Sequence, residues 1–216
     1  REDQRMSRAR LKAILSMVLF VAVVIGLMPL AEAEEVSSEE KKNVYETYRK
    51  NYTAGGNADD VVIRAADHIS LQDFQADTRN EYKGEKNALV LKSEAGSVSW
   101  EIAVQKEGLY AVNIQYASLE STHARISFGL QVDGSYPYEE LKNLELSRPW
   151  KYAESIRKDE RGNDLLPQQE QSFEWQSCDI YDNDGKYNSP LMIHFTQGKH
   201  IVKMAFTQAE LAIGEV

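Results

Sequence analysis

The chain has 216 residues, with 25 Lys and Arg against 34 Asp and Glu, a formal net charge of −9. Nucleic-acid sites need clustered basic residues, so this balance argues against a nucleic-acid partner. The single cysteine, Cys178, excludes an intrachain disulfide.

In chain order, Arg1–Arg5 precedes Met6 and reads as upstream read-through of the reading frame. From Met6 the pattern is that of a secretory signal. Arg8, Arg10 and Lys12 make a basic start, Ala13–Leu30 is apolar apart from Ser16, and Ala31-Glu32-Ala33 is a small-x-small cleavage site. The apolar run of 18 residues also reaches the lower limit for a membrane anchor, and Pro29 favours cleavage over anchoring. Residues 1–33 are therefore read as a signal peptide, and the rest of the chain is expected outside the cell. From Glu34 onward, 20 basic and 31 acidic residues leave a net charge of −11. About 150 residues are enough to build a core without disulfides.

Residues 34–60 read as an acidic leader, a short helix and a linker. Ser37 and Glu40 have capping-box spacing, and Val44, Tyr48 and Tyr52 recur on one face of a helix predicted over Glu39–Tyr52. Gly55-Gly56-Asn57 then breaks it. Residues 61–216 read as a β domain. A strand is predicted at Val61–Ala66, mostly loop over Asp67–Lys86, and a short strand at Ala88–Leu91. The strongest signal follows. Val98, Trp100, Ile102 and Val104 alternate with polar or small residues, as do Tyr110, Val112, Ile114 and Tyr116, and then Ile126, Phe128, Leu130 and Val132 up to the Asp133-Gly134 turn. A period of two sustained over that length predicts half-buried antiparallel strands, with Trp100 in the core.

After Gly134 the alternation fails, and 135–190 is expected as a long loop insertion; segments of that kind are usually functional. Strands resume at Leu191, Ile193 and Phe195, turn at Gln197-Gly198 into an arm with Val202, Met204 and Phe206, and end near Leu211 and Ile213. The fold class expected is all-β: an antiparallel β-sandwich or jelly roll preceded by a signal peptide and a short helix.

His68, His123, His194 and His200 form no zinc or metalloprotease pattern, although His194 and His200 flank a turn that would make them neighbours on adjacent strands. No nucleophile elbow or P-loop is present. Asp179–Gly185 gathers oxygen ligands around Asp182 and Asp184, which makes these the only calcium candidates, though without the spacing of a twelve-residue loop. Aromatic residues are the better binding candidates, because sugars lay C–H faces on Trp and Tyr rings while polar side chains take their hydroxyls. Tyr136, Tyr138, Trp150 and Trp175 are the ring candidates, with Arg148, Asn163, Asp164, Gln169 and Glu170 as polar partners. Two readings stand. In the other, the two Trp residues pin the long loop to the sandwich and Arg148 braces it against Glu170.

Ser97-Val98-Ser99-Trp100-Glu101, Gly108-Leu109-Tyr110-Ala111-Val112-Asn113-Ile114, Val132-Asp133-Gly134 and Gly198-Lys199-His200 follow one another in an order that resembles the galactose-binding-like β-sandwich of carbohydrate-binding modules of families 6 and 35. More narrowly, Arg148-x-Trp150, Gly162-Asn163-Asp164, Pro167-x-Gln169-Glu170, Trp175 and Gly198-Lys199-His200 look like the N-terminal region of large secreted solute-binding proteins of ABC transporters in Paenibacillus-like bacteria. The resemblance implies a non-catalytic extracellular domain that binds an oligo- or polysaccharide, a downstream domain in the same longer chain, and an ABC permease as partner. It implies no catalytic residue and no cofactor beyond a structural calcium. Binding modules of these families often open with Glu-Ala-Glu; Arg64-Ala65-Ala66 stands here instead, and no lipid-attachment cysteine is present. A module that targets a downstream glycoside hydrolase, and a spacer without ligand, share the same fold and remain alternatives.

Overall fold

The computed structural model describes residues 44–52 and 60–216. The signal segment, the Ser37–Glu40 cap and Gly55-Gly56-Asn57 lie outside the described residues.

Among the described residues the chain forms one short α-helix, α1 (Tyr45–Lys50), and then strands β1 (Ser70–Gln72), β2 (Ala76–Tyr82), β3 (Glu85–Leu91), β4 (Gly96–Val104), β5 (Gly108–Ala111), β6 (Asn113–Ser118) and β7 (Arg125–Val132). Next come β8 (Leu144–Ser147), β9 (Trp150–Tyr152), β10 (Arg157–Lys158), β11 (Asp164–Leu165), β12 (Gln169–Gln171) and β13 (Gln176–Asp179). The last three are β14 (Met192–Phe195), β15 (Gly198–Gln208) and β16 (Leu211–Ile213). One five-stranded sheet has the order β1-β4-β15-β7-β8, and a second has the order β13-β6-β16-β3-β2. Every pairing is antiparallel, and inward residues of both sheets share one hydrophobic core. The fold is an antiparallel β-sandwich.

The alternation on β4 and β7 does the work expected of it. Val98, Trp100, Ile102 and Val104 are buried, as are Ile126, Phe128, Leu130 and Val132, while Glu101 and Ala103 face solvent. Trp100 is fully buried and its indole N–H donates to the Ala65 carbonyl at 3.1 Å, which satisfies the one polar atom it brings inside. At the β7–β8 corner the Tyr136 ring packs so closely over Gly129 that a Cβ there would sit 2.7 Å from the Tyr136 hydroxyl.

Several elements differ from the expectation. Val61–Ala66 is no sheet strand: Ile63 exchanges two 2.8 Å backbone bonds with Val216, and Ala65–Asp67 is a short 3-10 turn. Residues 67–86, expected as loop, hold β1 and β2. β2 is an edge strand with no fully buried residue, so it carries no apolar period. The expected insertion at 135–190 holds six strands. β8 and β13 are the outer strands of the two sheets, and β9–β12 form two small ribbons exposed almost throughout. Four residues in β8, or a ribbon wet on both faces, are too little for a period-two signal. The expected hairpin at Gln197-Gly198 does not form. β14 pairs with β5, and β15 with β4 and β7, so His194 and His200 lie on strands that do not pair with each other.

α1 covers the open edge of β14. Tyr45 and Tyr48, three apart on one helix face, turn their hydroxyls to the strand: Met192 N–H donates to Tyr45 Oη at 3.1 Å and His194 N–H to Tyr48 Oη at 2.9 Å. Tyr138 Oη donates to the Met192 carbonyl at 3.1 Å, and the Tyr52 ring stacks on His194 at 4.0 Å. Burial raises the pKa of the Tyr48 hydroxyl and pushes that of Tyr138 well above the usual tyrosine range.

Candidate functional site

A cleft of about 540 Å³ opens where three chain segments meet. The β2–β3 turn contributes Lys83, the β6–β7 connection contributes Ser118–Ser121, and the β9–β12 ribbon contributes Trp150 and Glu170–Phe173. Lys83 and Gly84 both have positive φ, 48° and 95°, the backbone of a tight two-residue hairpin turn. That turn holds the Lys83 ammonium 3.8 Å from the Phe173 ring centroid. Trp175 stands behind this wall, edge-on to Phe173 at 5.9 Å, and its indole N–H latches the turn by donating to the Lys83 carbonyl at 3.2 Å.

Trp150 forms the open wall and is 48% exposed. Opposite it in register is Gln171, whose amide grips the β6–β7 connection at both ends: Nε2 donates to the Ser121 carbonyl at 2.6 Å and Oε1 accepts from Ser121 N–H at 3.1 Å. Glu170 lines the cleft with its carboxylate 3.3 Å from Lys151 Nζ. Ser118, also in the lining, keeps its Oγ buried without a hydrogen-bond partner. Such a group is costly to leave unmet and marks a place where a ligand hydroxyl or water would be welcome. The arrangement suits a ligand with flat apolar faces and several hydroxyls.

Of the residues singled out from sequence, Trp150 and Glu170 line the cleft and Trp175 braces it. The others lie elsewhere. Arg148 is a correction: its side chain is fully buried, and it pairs with Glu210 at 3.9 Å, not with Glu170. Its guanidinium donates to the carbonyls of Leu119 (2.9 Å), Glu210 (3.1 Å) and Ala209 (2.5 Å). Burial lowers its pKa, partly offset by the Glu210 charge. Those carbonyls belong to the β6–β7 connection and the β15–β16 turn, where the Glu210 carbonyl also accepts Leu119 N–H at 2.8 Å. Arg148 thus positions the cleft floor from beneath. Tyr138 is 1% exposed and belongs to the core, and Tyr136 packs against the core.

Asn163 and Asp164 sit far along the exposed ribbon. Asn163 folds the tip by donating N–H and Nδ2 to the Asp159 carboxylate, which is held below the usual range first by that side-chain bond. Asp164 lies opposite Lys158, at 4.0 Å. Gln169 is exposed opposite Tyr152. The calcium candidates do not converge: Asp182 Oδ2 accepts the Lys186 N–H at 2.5 Å and Asp184 pairs with Lys186 Nζ at 2.7 Å. Among the described residues no group of three His, Cys, Asp or Glu gathers as a metal site. The turn uses those carboxylates internally.

Sequence reasoning missed Lys83, Ser118, Gln171 and Phe173. Phe173 and Trp175 alternate, a signal that was available; Lys83 and Ser118 arrive from loops distant in sequence. A second cavity of about 460 Å³, walled by Val61, Ile63, Ile102, Val104 and Val112, is mainly aliphatic, and its rings Tyr110 and Phe195 pack edge-to-face on each other.

No protein-family model matches the chain, and no curated protein matches it. Among solved structures, a Podospora anserina GH26-CBM35 β-(1,4)-mannanase is similar over 72% of this chain and 26% of that one, at 13% identity and a TM-score of 0.42. A CBM35 from Cellvibrio japonicus matches over 71% of this chain and 89% of its own, at 16% identity and a TM-score of 0.42. CBM35 from Paenibacillus barcinonensis matches over 71% and 94%, at 15% identity and a TM-score of 0.41. The chain therefore spans about a quarter of the mannanase it resembles.

Proposed function

We propose that this chain is a non-catalytic carbohydrate-binding domain of the galactose-binding-like type, and that it binds sugar in the Trp150–Phe173 cleft. The observation that carries this is the half-exposed Trp150 indole beside polar groups from three segments, with the buried Ser118 Oγ unmet in the same lining. A ring at that exposure contributes little to folding, and an indole next to hydroxyl and amide groups matches the two-sided chemistry of a pyranose. The order of motifs along the chain supports placing the domain outside the cell, at the front of a solute-binding protein that serves an ABC permease.

The test is binding to a panel of soluble polysaccharides by affinity electrophoresis. Wild-type protein should be retarded by at least one of them, and Trp150→Ala should weaken that retardation about tenfold or more while the melting temperature stays unchanged. Unchanged retardation of the variant would overturn the assignment of the cleft.

A further inference from the structure

The aromatic wall continues past the cleft. In the β9–β12 ribbon Trp150 lies opposite Gln171 and Tyr152 lies opposite Gln169. Residues two apart on a strand share a face, so these four side chains lie on one side of the ribbon. Lys151 and Glu170 alternate with them and pair with each other at 3.3 Å, with Glu170 also in the cleft lining. The side of the ribbon that carries Trp150 and Tyr152 is thus aromatic and amide.

The two aromatic–amide pairs are not equivalent. Gln171 is occupied in holding Ser121. Tyr152 is 41% exposed, and Gln169 is exposed with no hydrogen bond among the described residues. The outer ring therefore supports no neighbour, while lying about 7 Å along the strand from the ring that walls the cleft. That step is on the order of one sugar unit. The repeat of ring plus amide, at a spacing that suits successive units of a polymer, is the feature to be explained.

We infer that Tyr152 and Gln169 form a second sugar subsite continuous with the cleft, and that the ligand is an internal stretch of a neutral polysaccharide. This rests on the carbohydrate reading above. Tyr152 stacks the next ring of the chain and Gln169 takes its hydroxyls. A single terminal sugar would need only the enclosed end. A polyuronate would call for a cation beside Tyr152 and Gln169; the ribbon's Lys151 is paired with Glu170, and the cleft's Lys83 sits over the Phe173 ring.

The probes are galactomannan, hydroxyethylcellulose, xylan, laminarin and polygalacturonate in affinity gels. Oligosaccharides of one to six units, cut from whichever backbone binds, follow by calorimetry. Wild-type affinity should rise with length beyond two units. Tyr152→Ala and Gln169→Ala should each remove most of that rise, about tenfold for tyrosine on the longest oligosaccharide, and leave the shortest ligand that binds unaffected. Circular dichroism checks that both variants keep the fold. If Trp150→Ala abolishes binding while Tyr152→Ala changes no length, or all lengths equally, the second subsite is wrong and the cleft reading stands. Retention by polygalacturonate alone would overturn the neutral class. If the wild type is retained by none of the five, the carbohydrate reading fails and this inference falls with it.

Discussion

Arg148 and Trp150 are separated only by Pro149, yet the regions they open are built on opposite rules. Arg148 goes inward and meets three backbone carbonyls. Trp150 begins a ribbon in which most residues as far as Glu170 are exposed, large apolar ones such as Ile156, Leu165 and Leu166 included. In the corner, polar chemistry is spent on structure; in the ribbon, apolar surface is left in water. The difference shows that residue type alone is a poor guide to role. What decides is whether the surrounding backbone has unmet hydrogen-bonding groups to offer.

The contrast can be broken by mutation. Arg148→Met should have the largest effect, because it takes the guanidinium donor from the Leu119 and Ala209 carbonyls and the cation from beside Glu210; a loss of about 3 kcal/mol or more is expected in urea unfolding. A comparable loss from Trp150→Ala would mean the ribbon is structural after all; its stability change should stay within about 0.5 kcal/mol. Next in size, Tyr45→Phe with Tyr48→Phe should cost roughly 2 kcal/mol together, since each deletes an acceptor for a β14 N–H.

The smallest effect is a pH dependence inside the sandwich. His200 Nδ1 lies 2.7 Å from Asp133 Oδ2, and its Nε2 lies 3.0 Å from the Thr196 carbonyl, so both ring nitrogens have acceptors. The Asp133 bond, against a smaller opposing effect of burial, raises the His200 pKa above 6.5. Burial pushes the Asp133 carboxyl up, but its bonds from His200 and from Ile201 N–H outweigh this and hold it below 3.8. The His200 contribution is complete below pH 6.5 and is lost as pH rises through its higher folded pKa. The Asp133 contribution is present above pH 3.8 and is lost as pH falls through its lower one. Stability from this pair is therefore fullest between those values. Melting scanned from pH 4 to 9 should show a decline on the alkaline side of a few tenths of a kcal/mol, small because Asp133 is half-exposed and screened, and His200→Gln should flatten it.

How far the sequence could be read follows from burial. β4 and β7 were legible because each buries every second residue against the opposite sheet. β2 and the ribbons were not, because nothing dry lies against them. Within the cleft, Trp150 and Glu170 were legible as types suited to sugars. Arg148 looked equally suited, and only the fold reveals the carbonyls that draw it inward. Lys83 and Ser118 could not be found by motif at all: each is an ordinary residue whose place depends on how two distant turns converge.

The tyrosine hydroxyls on β14 have a consequence for how the molecule lives among other chains. A bare sheet edge is a template for any extended segment that drifts past, in the same protein or another. A helix that met β14 with backbone groups would itself be a strand and would hand the open edge on to its far side. Side-chain hydroxyls end the ladder instead. Tyr45 and Tyr48 therefore act as a terminator, and the six-residue helix that carries them closes the β14 edge to a further strand.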